Sequence, residues 1–333
     1  MKNAEDAVAK VPKRVKRRIK VAVLDTGIDW DNSNLIEYRK RIKFLDGDET
    51  TNKDTDGHGT LVAYLLLRLA PNTEIWVSKI SESRKFELGA ARLKALEQAS
   101  KVEADCRMLM LWADVVSPQT ILNLASDPEN KIDILNLSFG FSNDDNPLLG
   151  PLEAALQEAH IKHKILILAA ARNDAGNASV AWPAAMIDHV ICVNASTDGG
   201  DDAKINPTQR SPKISTLGLG FELSFGDTFI RESGTSFATP IASALVATIL
   251  DFAHRNHEAF RQFRGHSKLR TRRGMMNVLT FMCTNPPGQP RGEYFYVKHD
   301  FFLNQPDAPQ ARDLVSRMVY IMNSAFAAGM NAA

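Results

Sequence analysis

The stretch Ile19-Lys20-Val21-Ala22-Val23-Leu24-Asp25-Thr26-Gly27 predicts a buried β-strand that ends in a carboxylate. A strand that is covered on both faces of a sheet has a nearly continuous apolar sequence, as this one does. A carboxylate at the end of such a strand is costly to bury unless it has a hydrogen-bonding partner. We therefore expect Asp25 to be paired with another side chain at the carboxyl edge of a sheet.

Further apolar runs alternate with helical stretches along the chain, which indicates βαβ units. The fold class that follows is α/β, a doubly wound and mostly parallel sheet with helices on both faces. Ligands of such folds bind at the carboxyl ends of the strands. The predicted strands are 19–25, 74–79, 132–138, 164–170, 189–194 and a late edge strand at 292–297, and the predicted helices are 59–69, 148–163 and 234–254.

Two other segments carry residues suited to acyl transfer: Asp56-Gly57-His58-Gly59-Thr60 and Ser233-Gly234-Thr235-Ser236-Phe237-Ala238-Thr239-Pro240. A serine hydroxyl becomes a nucleophile when an imidazole takes its proton and a carboxylate orients that imidazole. Asp25 ends a strand, while His58 and Ser236 fall in the first turns of predicted helices, so all three can meet at one edge. Taken singly, Ser236 could be a helix cap and His58 a structural residue.

These three segments, in the order Asp, His, Ser, resemble the subtilisin-like serine peptidases, the subtilase family, and most closely its intracellular fungal members. The resemblance spans residues 19–248, with a family-like ending to about residue 304. It implies a three-layer α/β/α fold and a serine endopeptidase that acts on polypeptide through an acyl-enzyme on Ser236. It implies no obligatory cofactor.

The resemblance also assigns an oxyanion donor and a substrate pocket. Asn173 stands where the family keeps its oxyanion asparagine; the alternatives are that Asn173 only starts a turn, or that Asn177 takes the role. The Trp182–Pro183 bond is a candidate cis peptide, since X-Pro bonds make cis accessible. Other residues match the walls and base of the pocket for the side chain that precedes the cleaved bond: Ser138, Phe139, Gly140, Ala170, Ala171, Arg172 and Ala181.

Arg172 departs from the family pattern, which has a small residue just before the oxyanion asparagine. A large cation there would narrow the pocket or favour an acidic side chain in it. We therefore expect weak cleavage after bulky aromatic residues.

The predicted organisation is a basic N-terminal arm at residues 1–18, a peptidase domain at 19–304 and a C-terminal helical tail at 305–333. The basic arm is expected to be solvated. Residues 84–116 do not fit the family outline and are interpreted as an enlarged helical insertion. It replaces a Gly-rich segment that, in the family, pairs with extended peptide. The tail either packs on the domain or docks a partner, and further domains could be fused to the chain.

Composition limits the function classes. With 44% hydrophobic and 24% charged residues and a net charge of +1, nothing suggests nucleic acid as a partner. The N-terminus lacks the apolar core of a secretory signal, and we find no stretch of about 18 apolar residues that would predict a membrane span. Cys106, Cys192 and Cys283 have no disulfide or zinc spacing. These features favour an intracellular, cytoplasmic protein.

An acidic loop precedes His58, and we expect it to be solvated rather than to hold a metal. A structural calcium ion remains an alternative there, although the spacing is not that of an EF-hand. Two other functions stay open: a non-catalytic module that binds peptide or a partner, and an esterase or transpeptidase that uses the same acyl-enzyme. The loop carboxylates are Asp46, Asp48, Glu49, Asp54 and Asp56.

Overall fold

The computed structural model of the chain describes residues 17–84, 118–126, 131–141, 149–175, 178–208, 213–226, 228–258, 266–283, 293–297 and 322–325. The predicted insertion at 84–116 lies outside the described residues except for Arg84, and Asn177 lies outside them as well. The same holds for residues 1–16 of the N-terminal arm and for most of the tail at 305–333. These assignments stay predictions.

The described chain contains strands β1 (Ile19–Asp25), β2 (Ile42–Phe44), β3 (Thr73–Lys79), β4 (Ile134–Leu137), β5 (Leu166–Ala170), β6 (Val190–Ser196), β7 (Lys213–Leu217), β8 (Phe221–Phe225), β9 (Thr228–Glu232) and β10 (Tyr294–Tyr296). Its α-helices are α1 (His58–Leu69), α2 (Pro118–Ser126), α3 (Leu149–Ile161), α4 (Thr235–Arg255) and α5 (Arg272–Phe281). Short 3₁₀ helices cover Ser33–Arg41 and His266–Lys268.

Eight of the strands form one parallel sheet in the order β10-β7-β6-β5-β4-β1-β3-β2. Strands β8 and β9 form a separate antiparallel hairpin. The predicted parallel α/β sheet is confirmed, and the late strand at 294–296 is an edge strand beside β7, as expected.

Alternation along β1 separates two hydrophobic cores, because successive side chains of a strand point to opposite faces of the sheet. Val21 and Val23 belong to one core, with residues of α1, α4 and α5. Ala22 and Leu24 belong to the other core, with residues of α2 and α3. The sheet is therefore the middle of three layers, as the resemblance implied.

Helix α4 is the central helix of the first core. By length and composition its 21 residues could cross a membrane, and it is the one such helix within the described ranges. It is not an unbroken apolar run, since Thr, Ser and Asp residues interrupt it. Because 83% of its most apolar stretch is buried inside the protein, its composition is explained by packing in the core.

The end of the N-terminal arm is anchored at the opposite, amino edge of the sheet. The Arg17 guanidinium donates to both carboxylate oxygens of Asp133, at 2.8 and 2.9 Å. Asp133 is fully buried and also accepts from the backbone N–H of Lys20 at 2.9 Å. Arg17 is therefore exposed and at the same time anchored through its guanidinium.

Candidate active site

Three elements bring the predicted reactive residues to the carboxyl edge of the sheet. Asp25 is the last residue of β1, His58 is the first residue of α1, and Ser236 is the second residue of α4. Both helices begin at a glycine that supplies no side-chain cap. Their N-terminal N–H groups give this edge a positive potential, which suits a developing anion.

Asp25 and His58 form a buried hydrogen-bonded pair. The Nδ1 atom of His58 lies 2.6 Å from Oδ1 of Asp25, and the two residues are 4% and 0% exposed. Oδ1 also accepts the backbone N–H of Thr26 at 2.8 Å. Because a carboxylate accepts at Nδ1, the neutral imidazole carries its proton there, and Nε2 is left as the basic nitrogen.

The pKa of His58 is raised above its ordinary value of 6.5. Burial by itself would lower this pKa, because it disfavours the imidazolium. The Coulombic attraction of Asp25 and its hydrogen bond outweigh burial. The site therefore stabilises the protonated imidazole, the form that His58 would take after it accepts a proton.

Ser236 lies next to a ring that packs on His58. The rings of Phe237 and His58 have centroids 5.0 Å apart. Ser236 itself is 8% exposed. The first turn of α4, which carries Ser236, therefore begins close to the His58 ring.

Gly234 brings Ser236 and Asn173 to one point. A Cβ atom at Gly234 would lie 3.1 Å from Oγ of Ser236 and 3.0 Å from Nδ2 of Asn173. Any larger residue would crowd both polar atoms. The missing side chain therefore leaves room beside the hydroxyl and the amide.

Hydrogen bonds from Thr235 fix the orientation of the Asn173 amide. Oδ1 of Asn173 accepts the Thr235 backbone N–H at 2.8 Å and the Thr235 hydroxyl at 3.0 Å. The amide nitrogen is the nearer of the two amide atoms to a Cβ placed at Gly234, at 3.0 Å against 3.4 Å for Oδ1. An oxyanion donor requires an amide nitrogen that is left without an internal acceptor near the reacting serine.

The residues predicted for the pocket come from the ends of β4 and β5 and from the loop that carries Ala181. A Cβ at Gly140 would lie 2.6 Å from Cβ of Ala181 and 3.7 Å from the carbonyl oxygen of Ala170. The Ala181 N–H donates to the carbonyl of Ala171 at 2.9 Å. The Trp182–Pro183 peptide bond is cis, as predicted.

Two residues of the predicted pocket wall have side chains that point into the interior. The Ser138 hydroxyl accepts from Asn136 Nδ2 at 2.9 Å and is buried. Phe139 is 5% exposed, and its ring packs 5.5 Å from that of Phe141. These two residues can therefore offer substrate their backbone, while their side chains support the wall from behind.

Arg172 has an unusual backbone conformation beside the pocket. Its φ of 147° lies in the range that glycine favours, and its N–H donates to the Thr235 hydroxyl at 3.3 Å. Nε of its guanidinium bonds Oδ2 of Asp174 at 2.5 Å. The ion pair offsets the charge of Arg172, which weakens the expectation that it attracts an acidic side chain.

The acidic loop is solvated at Asp46, Asp48 and Glu49, as expected, but Asp54 and Asp56 are built into the site. Asp54 is 3% exposed. Its Oδ1 accepts from the Thr26 hydroxyl and from the N–H groups of Asp56 and Gly57, each at 2.9 Å. Its Oδ2 accepts from the N–H and hydroxyl of Thr60 at 2.9 and 2.6 Å. Asp54 therefore ties the Asp25 loop to the first turn of α1.

The loop does not fit a calcium site. Asp54 is saturated by these donors, and Asp48 accepts the N–H groups of Thr50 and Thr51 at 2.9 and 3.0 Å. No group of three or more His, Cys, Asp or Glu side chains is arranged to hold a metal within the ranges described above.

Sequence reasoning missed two further residues at this edge, Arg84 and Glu232. Arg84 pairs with Asp56, at 2.7 Å between Nε and Oδ1, and with Glu232. Sequence spacing gave one usable signal: Asp56 lies two residues before His58, and Glu232 lies four residues before Ser236. Nothing in the sequence identified Arg84 as their common partner.

The sequence of the chain is similar to those of several known proteins. A family model described as "Subtilase family" matches residues 16–277. "Subtilisin-like protease het-Q2" of Podospora anserina is 31% identical over 211 residues, which is 60% of this chain and 50% of the relative. "Intracellular serine protease" of Paenibacillus polymyxa is 26% identical over 251 residues, 73% of this chain and 69% of the relative.

Among solved structures, the prenylagaramide maturation protease PagA superposes with a TM-score of 0.57 at 23% identity, covering 85% of this chain and 92% of PagA. That likeness concerns the fold alone. The chain spans only half the length of the Podospora relative.

Proposed function

The chain belongs to the subtilase family, and from that premise we propose that it is a serine endopeptidase that cleaves polypeptides through an acyl-enzyme on Ser236. In this proposal Asp25, His58 and Ser236 form the catalytic triad. Asn173 and the backbone N–H of Ser236 bind the oxyanion. If the chain is part of a longer protein, the same activity is proposed for that protein.

The chemistry follows from the protonation state of the buried pair. Nε2 of His58 accepts the hydroxyl proton while Oγ of Ser236 bonds to the scissile carbonyl carbon. The imidazolium, stabilised by Asp25, then gives that proton to the leaving amine as the peptide C–N bond breaks. Water, deprotonated by the same imidazole, releases the acid from Ser236.

The observation that carries the proposal is the hydrogen bond of 2.6 Å between His58 and the buried Asp25, at the edge where α4 begins with Ser236. A buried carboxylate that orients one imidazole nitrogen is the costly part of a triad. The orientation of the Asn173 amide by Thr235 supports the oxyanion assignment.

Several finer assignments belong to the same proposal. The substrate pocket is formed around Gly140, Ala170, Ala171, Arg172 and Ala181, with Ser138 and Phe139 as wall residues. The peptidase domain covers residues 19–304, and no cofactor is obligatory. An intracellular location follows from the cysteine pattern and is compatible with the intracellular bacterial relative.

The test is active-site labelling. The purified chain is incubated with a fluorophosphonate probe, which reacts with an activated serine, and in parallel with an internally quenched peptide. We expect stoichiometric labelling and peptide hydrolysis by the native chain.

The first variant is Ser236→Ala, which should not be labelled. The matched control is Ser233→Ala, which removes a neighbouring serine and should still be labelled at Ser236. Loss of labelling in Ser236→Ala alone would support the proposal. A folded native chain that neither reacts with the probe nor cleaves peptide would contradict it and would favour the peptide-binding module.

A further inference from the structure

A charged network crosses the rim of the proposed site between the histidine and serine segments. Nε of Arg84 donates to Oδ1 of Asp56 at 2.7 Å, and Nη2 donates to the Asp56 carbonyl at 3.3 Å. Nη1 of Arg84 donates to Oε1 of Glu232. All three guanidinium nitrogens therefore have acceptors within the network.

The network is fixed in place by packing of the β8–β9 hairpin. A Cβ at Gly57, next to His58, would lie 2.9 Å from Ile230 and 3.2 Å from Phe225, so the hairpin sits directly on the histidine loop. Asn32 holds the same hairpin by donating to the Ser224 carbonyl at 2.6 Å. Glu232 ends β9 four residues before Ser236 and so cannot lie far from the nucleophile.

The hairpin lies on the leaving-group side of the proposed cleft. The acyl-side pocket and Asn173 are on the ends of β4 and β5. His58 gives its proton to the leaving amine, so the first leaving residue must pass on the His58 side of Ser236. Asp56, Arg84 and Glu232 are charged residues of the histidine loop and the hairpin on that side.

The charge of the network is negative, since two carboxylates share one guanidinium. Arg84 holds the pKa of Asp56 below its ordinary value, despite burial, by backbone and side-chain hydrogen bonds. Glu232 accepts from Arg84 through Oε1, so among the described contacts Oε2 remains for a ligand. Side-chain exposures of 22% for Glu232 and 30% for Arg84 place the network at the surface of the rim.

We propose that Glu232, oriented by Arg84, is a specificity-determining residue that favours Lys or Arg as the first residue of the leaving group. This inference rests on the proposed endopeptidase activity. The Arg84–Asp56 pair fixes the carboxylate, and Oε2 of Glu232 accepts from the ammonium or guanidinium of the substrate. An acidic leaving residue is repelled by the same group.

The test measures kcat/KM for internally quenched peptides that share one acyl half and carry Lys, Gln or Glu as the first leaving residue. We expect Lys to be preferred over Glu by roughly fivefold or more at low salt, with Gln between them. In 1 M NaCl the ratio should fall toward one, because exposed charges are screened. A native chain that cleaves the three peptides equally at low salt would overturn the inference.

The variant Glu232→Gln keeps the size and the Oε1 acceptor but removes the charge, and it should bring the Lys/Glu ratio close to one. Glu222→Gln is the matched control, since Glu222 is an exposed carboxylate on the same hairpin that pairs with Arg231 at 3.2 Å. It should keep the native ratio. A Lys/Glu ratio that persists in Glu232→Gln would overturn the inference.

A substrate without a leaving residue separates the two proposals. The p-nitrophenyl ester of the same acyl half reports acylation of Ser236 alone. If the native chain cleaves neither ester nor peptide, the proposed function fails. If it cleaves both but ignores the charge of the leaving residue, only the inference about Glu232 fails.

Discussion

Nδ1 of His58 lies 2.6 Å from Oδ1 of Asp25 in the interior of the protein, so that a nearly fully buried imidazole has a carboxylate as its partner. Two opposing effects act on the imidazole. Burial disfavours its charged form, whereas the attraction of Asp25 favours it, and the attraction prevails. The ring is therefore more basic than an ordinary histidine, although it is buried.

The first prediction concerns the pH dependence of hydrolysis. Activity requires neutral His58, and its raised pKa means that the protonated form persists above pH 6.5. The acidic limb of kcat/KM should therefore have its midpoint above pH 6.5, with activity lost as the pH falls through it. A pH profile measured with a neutral peptide substrate gives the midpoint directly.

Asp25→Asn is the matched variant for that profile. It removes the attraction that raises the pKa of His58, so the acidic limb should move to lower pH. The rate should fall by about 10³–10⁴-fold, because the imidazole is no longer held in the correct tautomer. An unchanged midpoint in this variant would show that Asp25 does not set the basicity of His58.

The second prediction concerns Asn173 as an oxyanion donor. Asn173→Ala should lower kcat by about 10²–10³-fold and leave KM within a few-fold, since the donor acts on charge that develops in the transition state. Thr235→Val is the comparison: it removes the hydroxyl that bonds Oδ1 of Asn173 but keeps the backbone N–H bond. Its loss of kcat should be smaller, below about tenfold. Equal losses, or a change in KM alone, would contradict the role of Asn173.

The third prediction concerns the stability that Asp54 provides. Asp54→Asn places an amide group among the N–H and hydroxyl donors of Thr26, Gly57 and Thr60, and some of these donors lose their acceptor. The free energy of unfolding should fall by about 2–4 kcal/mol. Denaturant unfolding measures this change. Glu49→Gln, an exposed residue of the same loop, should leave the midpoint unchanged.

Sequence alone predicted those parts of the fold that bury long apolar runs. Strand β1 and helix α4 were found within a residue of their observed bounds, because each is covered on almost every side. Strand β7, Lys-Ile-Ser-Thr-Leu, was missed because it is short and half polar, although it is buried in the sheet. The β8–β9 hairpin was missed because its strands are short and give no long apolar run: only Leu223 of β8 is buried.

In the site, too, residues within recognisable motifs could be predicted from the sequence, whereas residues whose partners lie in distant segments could not. The order of the motifs predicted Asp25, His58 and Ser236 as site residues, and the family resemblance predicted Asn173; the structure brings their segments to one edge of the sheet. The roles of Asp54 and Arg84 depend on partners that the fold supplies from other segments. A run of acidic residues in a sequence does not show which distant residues will contact them. The acidic loop was therefore expected to be solvated.

The fourth prediction concerns Arg172, which combines a strained backbone with a large side chain beside the pocket. Its φ of 147° suits glycine, and such conformations cost about 1–3 kcal/mol for other residues. Arg172→Gly should therefore raise the free energy of unfolding by about 1 kcal/mol, part of the relief being offset by the entropy of glycine in the unfolded chain. The variant should also cleave faster after Phe and Tyr, because the pocket loses a bulky neighbour.

A matched substitution separates the strain from the pocket. Lys164 also has a positive φ, 59°, but it precedes β5 at the opposite edge of the sheet. Lys164→Gly should alter the unfolding midpoint and leave the preference for the residue before the cleaved bond as it is in the native chain. A peptide library cleaved by both variants reports this preference. Strong cleavage after Phe or Tyr by the native chain would show that Arg172 does not restrict the pocket, whatever its backbone costs.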